Sequence, residues 1–206
     1  MRRLAILLSG RGSNFEAIAD AVDSCAIPDA RIVSVVSDVP DARGLARAKE
    51  RGLPAFAVDR RGFSTRADHE AAILQILEEA RPDLLCLAGY MRILSPRFVA
   101  RWRGRLLNIH PSLLPRYPGT KPQLRALEAG DEVSGCTVHF VDEGTDTGPV
   151  VLWKEVRIEP GDTEESLSAR ILEQEHRAYP EAIRIVLDAL GRSLLAAPES
   201  VHRGSS

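Results

Sequence analysis

Two side chains suited to handling charge stand one residue apart in the run Leu106-Leu107-Asn108-Ile109-His110-Pro111-Ser112-Leu113-Leu114-Pro115-Arg116-Tyr117-Pro118-Gly119. Strand alternation puts Leu106, Asn108 and His110 on one face, and Leu107 and Ile109 on the other. Pro111 can supply no ladder donor, so the strand ends there. An amide and an imidazole therefore project side by side from a strand's carboxyl end, where open α/β sheets bind ligands. Preorganised donors of this kind can meet negative charge as it develops on an oxygen. By itself, an Asn-x-His pair is more often satisfied by loop backbone. The continuation through Ser-Leu-Leu-Pro and Tyr-Pro-Gly is what makes this run specific.

Two other stretches carry candidate chemistry. Ser9-Gly10-Arg11-Gly12-Ser13-Asn14 joins an apolar run to a helical one, and its free amides favour an anion. It lacks the Gly-Lys-Ser/Thr of a P-loop. As a dinucleotide fingerprint it gains from Asp38, at the ribose-binding position, but Phe15 fills the third glycine position. A plain tight turn fits this segment about as well as any functional role. The second stretch, residues 142–149, holds Asp142, Glu143 and Asp146 in a loop shaped by Gly144, Gly148 and Pro149. Acids in such company ordinarily solvate a turn. Cys25, Cys86 and Cys136 are odd in number and show no metal-ligand spacing, and Cys86 reads as a buried apolar residue.

The elements that must position these groups alternate. Strands are predicted at 4–8, 31–37, 55–58, 83–88 and 106–110, with helices from 14–22, 42–51, 67–80 and 96–103 between them. Ser13 and Glu16 have capping-box spacing, which starts the first helix at Ser13 or Asn14. Ser95-Pro96 is a cap followed by a first-turn proline. Residues 134–141 and 150–158 are separated by only a loop and are expected to pair antiparallel. Residues 163–191 are helical in pattern, with a break or kink at Pro180. This predicts a single α/β domain, 1–195, with a mostly parallel sheet, helices on both faces and an antiparallel C-terminal extension. Residues 196–206 read as a polar, flexible tail.

Across 206 residues the net charge is -2, with no general electrostatic footprint for nucleic acid. No stretch is long and apolar enough to span a membrane, and a cytoplasmic, monomeric or homodimeric protein is expected.

The run from Asn108 to Gly119 resembles the signature of the folate-dependent formyltransferases, and the likeness extends from residue 4 to about 190. It implies a Rossmann-like formyltransferase fold and formyl transfer from 10-formyltetrahydrofolate, as co-substrate, to a small ribonucleotide amine. The branch that formylates glycinamide ribonucleotide in purine synthesis is most similar. In the family pattern Asn108, His110 and Asp146 match the catalytic residues. Gly12, Ser13 and Asn14 match the ribonucleotide phosphate site, and Glu175 the acid that attracts the substrate amine. Met91, Arg92, Ile93 and Leu94, with Asn108, match the folate pocket, and Arg66 aligns with an arginine near the substrates. No metal is implied. The resemblance assigns Asp146 to raise the pKa of His110 and keep it protonated. Hydrolysis of formyl-folate is the nearest enzymatic alternative, formyl transfer to another sugar amine a second, and a folate- or nucleotide-binding module without turnover is a reading of a different class. A serine nucleophile at Ser112 lacks the Gly-x-Ser-x-Gly elbow. The family's usual histidines after Gly119 are replaced here by Thr120-Lys121-Pro122-Gln123, which bears on acceptor specificity or loop closure.

Overall fold

Leu4 to Leu8 have no solvent exposure, because β1 (Arg2–Leu8) lies inside the sheet with a strand on either side. The computed structural model describes residues 1–195, and the expected tail at 196–206 lies outside them. The other strands are β2 (Ala30–Ser37), β3 (Ala55–Ala57), β4 (Leu84–Leu87), β5 (Leu106–His110), β6 (Val133–Phe140) and β7 (Val150–Arg157). They lie in the order β3-β2-β1-β4-β5-β6-β7. The pairs from β3 to β5 are parallel, while β5–β6 and β6–β7 are antiparallel. The order reverses between β1 and β4, which opens a ligand crevice at their carboxyl ends.

The helices are α1 (Ser13–Asp23), α2 (Arg43–Glu50), α3 (Arg66–Ala80), α4 (Pro96–Arg101), α5 (Pro122–Glu128) and α6 (Glu164–Leu195). Phe15 and Ile18 of α1, Leu45 of α2 and Ile171, Tyr179 and Ile183 of α6 pack on one sheet face. Ile73 and Leu77 of α3 and Phe98 of α4 cover the other. Leu107 and Ile109 belong to the first core and Leu106 to the second, as strand alternation predicts. Among the described residues no helix is long and apolar enough to cross a membrane.

Three local expectations are corrected. The Ser13–Glu16 capping box does not form: Gly12 is the N-cap, with no side-chain cap bond, and Glu16 pairs with Arg47 of α2. Gly12 takes that position because its φ of 79° is left-handed and its Cα lies against Gly44. The helix through Pro180 does not break: α6 runs on as one element, with Ala178, Tyr179, Ala182 and Ile183 all buried against the sheet. Finally, the expected elements include no helix between residues 110 and 133, and one forms there from Pro122. That proline opens α5 at the first helical position, where its missing N–H costs nothing.

The Gly12–Gly44 contact fixes how the first turn meets α2, and Gly44 N donates to Gly10 O at 3.1 Å. A methyl at Gly12 would sit 2.4 Å from the Gly44 Cα, whereas one at Gly52 (φ 68°) would meet nothing within 4 Å. Gly12→Ala is therefore expected to cost roughly 2–5 kcal/mol, from left-handed strain plus overpacking. Gly52→Ala carries only the strain, about 1–2 kcal/mol. Urea unfolding of the two variants checks this, and equal losses would contradict it.

Candidate functional site

Asn108 and His110 leave β5 toward a cavity of about 480 Å³ at the strand ends, a size that suits a small organic ligand. Three segments complete its wall: residues 89–94 after β4, residues 119–121 before α5, and residues 141–146 after β6. Asp146 stands on the last of these in a left-handed conformation, φ 54°, unusual for a side-chain-bearing residue. Its carboxylate nevertheless reaches the β5 pair.

The Asp146 Oδ2 atom accepts the Gly119 amide at 2.8 Å and lies 3.3 Å from His110 Nδ1. Its Oδ1 lies 3.6 Å from Nε2 of His139. The other nitrogen of His110 is 2.9 Å from the Tyr117 carbonyl. The Asn108 amide nitrogen is 3.3 Å from His139 Nε2, since His139 stands opposite Asn108 in the β5–β6 register. One carboxylate, two imidazoles and an amide thus share a corner of the cavity.

The protonation expected for His110 is corrected. Burial disfavours the imidazolium and outweighs the upward pulls of the Tyr117 carbonyl and of Asp146, so the pKa lies below the ordinary histidine value. Asp146 acts in the expected direction but does not prevail in the unliganded protein. Both ring nitrogens face acceptors, however, and only the doubly protonated ring can donate to both. For Asp146, burial alone would raise the pKa. Hydrogen bonding to His139, the Gly119 amide and the charge of His110 overcome that and hold it below the usual carboxylate value.

Met91, Arg92, Ile93 and Leu94 all line the same cavity as Asn108, His110 and Asp146. Met91 and Ile93 are 77% and 74% exposed, large apolar side chains left without a protein partner. Arg66 is not in the cavity wall. It occupies the first turn of α3, 3.9 Å from Glu70. Gly12, Ser13, Asn14 and Glu175 also lie off this wall, but Asn14 and Glu175 meet each other across 161 positions of chain. Asn14 Nδ2 donates to Glu175 Oε2 at 2.7 Å, while Asn14 Oδ1 is buried without a partner. Burial raises the Glu175 pKa, partly offset by that hydrogen bond.

Ser112 is fully buried, and its hydroxyl donates to the Arg116 carbonyl at 2.6 Å, which leaves no free nucleophile there. Lys121 and Thr120, from the segment that departs from the family pattern, do line the cavity. Sequence reasoning passed over His139 and the Gly119 amide. His139 had a partial signal in the alternation Thr137, Val138, His139 on an expected strand, but its place opposite Asn108 comes only from the β5–β6 pairing. Nothing in residue type marks a backbone amide.

Residues 2–183 match the family model described as formyl transferase. The trifunctional purine biosynthetic protein adenosine-3 of Drosophila melanogaster is 48% identical over 199 residues, 96% of this chain. This chain spans only 14% of that relative's length. The phosphoribosylglycinamide formyltransferase of Haemophilus influenzae is 46% identical over 184 residues, covering 89% of this chain and 86% of that protein. The solved structure of glycinamide ribonucleotide transformylase 1 from Symbiobacterium toebii superposes with a TM-score of 0.89 at 46% identity, over 92% of this chain and 89% of that one. With the match running through both the Asn-His strand and the loop that carries Asp146, the chain belongs to the formyl transferase family.

Proposed function

We propose that the protein transfers the formyl group of 10-formyltetrahydrofolate to the amine of glycinamide ribonucleotide, a step of purine biosynthesis in the cytoplasm. The observation that carries the reading is the meeting of Asn108, His110 and Asp146 in one cavity whose wall also includes the exposed apolar side chains of Met91 and Ile93. Relatives of similar length are named for this reaction.

The amine attacks the formyl carbon, and the carbonyl oxygen becomes an oxyanion. The Asn108 amide and the charge of a protonated His110 stabilise that oxygen. The bond from the formyl carbon to the folate nitrogen then breaks, and the proton shed by the attacking amine passes to that nitrogen. Asp146, alone or through water, is placed to carry it. His110 enters the step carrying its proton, and the oxyanion developing beside it adds to the upward pulls of the Tyr117 carbonyl and Asp146 against the cost of burial. Gly12, Ser13 and Asn14 hold the ribonucleotide phosphate in this reading, and Glu175 its amine-bearing end. Met91 to Leu94 receive the pterin, and Arg66 lies toward the folate's outer end.

Release of deformylated folate, followed by absorbance, should require the ribonucleotide. Equal release without it would make the protein a hydrolase, and no release in either case would defeat both readings. His110→Ala is expected to reduce kcat by about 10²–10³-fold while folate binding persists, the loss typical of an oxyanion donor. A pure binding module would show no turnover to lose.

The pH dependence follows from the same charges. Activity that needs protonated His110 falls as pH rises through its pKa in the substrate complex. Asp146 raises that pKa, so Asp146→Asn should move the falling limb to lower pH as well as lowering kcat. A pH–rate profile in which the limb stays put would remove Asp146 from this role.

A further inference from the structure

Residues 89–94, which form one wall of the cavity, belong to no helix or strand. Among the described residues, no hydrogen bond holds the backbone of Arg92, Ile93 or Leu94. The segment is instead pinned at its two ends. At the first, Ser9 N donates to Gly89 O at 3.1 Å and Met91 N donates to Ser9 Oγ at 2.9 Å. At the second stands Glu70, a carboxylate buried in the α3 face.

Both oxygens of Glu70 are spent on Ser95. Oε1 accepts the Ser95 amide at 2.8 Å, and Oε2 accepts its hydroxyl in a very short contact. Ser95 Oγ at the same time accepts Phe98 N at 3.2 Å as the cap of α4. One buried charge therefore fixes both the exit of the wall and the start of the helix behind it. Glu70 also stands one turn from Arg66, with Nε of that guanidinium 3.9 Å from Oε1. Burying a carboxylate costs several kcal/mol unless it is hydrogen-bonded, and charge-assisted bonds are the strong ones. The same anchorage by an apolar contact would leave the Ser95 amide unmet.

We infer that Glu70 is a positioning residue for the folate site: through Ser95 it holds the 89–94 wall in its receiving shape without touching the ligand. The inference rests on the folate reading above. A wall whose own backbone is unbonded keeps its free N–H and C=O groups for an incoming heterocycle. Its rigidity then has to come from the ends. Loosening one end makes the ligand bear the cost of ordering the segment, which appears as weaker binding.

The test uses Glu70→Gln in the full chain, with the wild type alongside. The amide keeps the volume but loses the charge, and it sets an NH2 donor where one of the two carboxylate oxygens accepts from Ser95. A rise of about tenfold is expected in the KM for formyl-folate and in the calorimetric Kd for tetrahydrofolate, the size of one charge-assisted bond. The kcat and the KM for the ribonucleotide should stay within about twofold, since neither the Asn-His-Asp set nor the Asn14–Glu175 pair is touched. Ser95→Ala should reproduce the folate defect, Ser95→Thr should keep the wild-type folate KM and Kd, and the Glu70→Gln/Ser95→Ala double variant should be no worse than the worse single one. If Glu70→Gln lowers the melting temperature but leaves folate KM and Kd alone, or weakens both substrates equally, the residue is merely structural and the inference fails while the formyl-transfer reading stands. A wild type that neither binds tetrahydrofolate nor transfers formyl overturns both.

Discussion

The Asp146 carboxylate is the point on which the site depends, and no regular element supports it. It comes from a loop after β6, on a residue with φ 54°, yet it must face side chains from β5. What holds it is the Gly119 amide at 2.8 Å, itself part of the loop that follows His110. Two loops, far apart in sequence, thus lock each other. A half-buried charge would be costly without that amide and the imidazoles on either side, and the depressed pKa shows that these contacts outweigh desolvation. Remove any one and the carboxylate has both less reason to be charged and less reason to stay.

The sheet explains why the lock closes. Parallel strands leave their carboxyl ends open to a ligand, and β6, reached from β5 through the segment that holds α5, pairs with β5 in the opposite direction. By turning antiparallel at β6, the chain sets His139 directly opposite Asn108 and Thr137 opposite His110. Thr137 then anchors the loop after β5: its hydroxyl donates to Ser112 O at 2.7 Å and accepts the Leu114 amide at 3.0 Å. The Gly119 amide reaches Asp146 from a loop already fastened to the neighbouring strand. Tyr179 of α6 adds support below, its hydroxyl near the carbonyls of Leu87 and Leu107 at 3.0 and 3.1 Å, at the ends of β4 and in β5.

Periodicity made the frame legible. Strand alternation placed Asn108 and His110 on one face and Leu107 and Ile109 in the core, and Ser95-Pro96 marked a helix start that forms as read. The errors share a cause, which is that tertiary contacts decided what local pattern could not. Ser13 has the residue type of a cap, but the Gly12–Gly44 approach makes Gly12 the cap, while α1 begins at Ser13, one of the two positions read. Pro180 should interrupt a helix, but burial of its neighbours on both sides carries α6 through it. The seven residues of α5 were hidden because Pro122 reads as a loop residue until its place at the first turn is known. For the site, side-chain chemistry was readable and backbone chemistry was not. His139 needed the register, and the Gly119 amide needed the fold.

The protonation of His110 shows why identity and even contact distance are insufficient. An aspartate at 3.3 Å argues for an imidazolium, and burial of the ring argues against it; in the empty site burial wins. That outcome is compatible with catalysis rather than opposed to it. A histidine already charged in the ground state would bind any anion, substrate carboxylates included, and would gain little as the reaction proceeds. One whose charge is opposed by burial, with an acceptor at each nitrogen, has that charge stabilised further when negative charge appears beside it. The two acceptors make the charged form geometrically complete, while burial of the ring opposes it. The low dielectric that opposes the charge beforehand also strengthens its attraction to that oxyanion, so the same burial serves both ends.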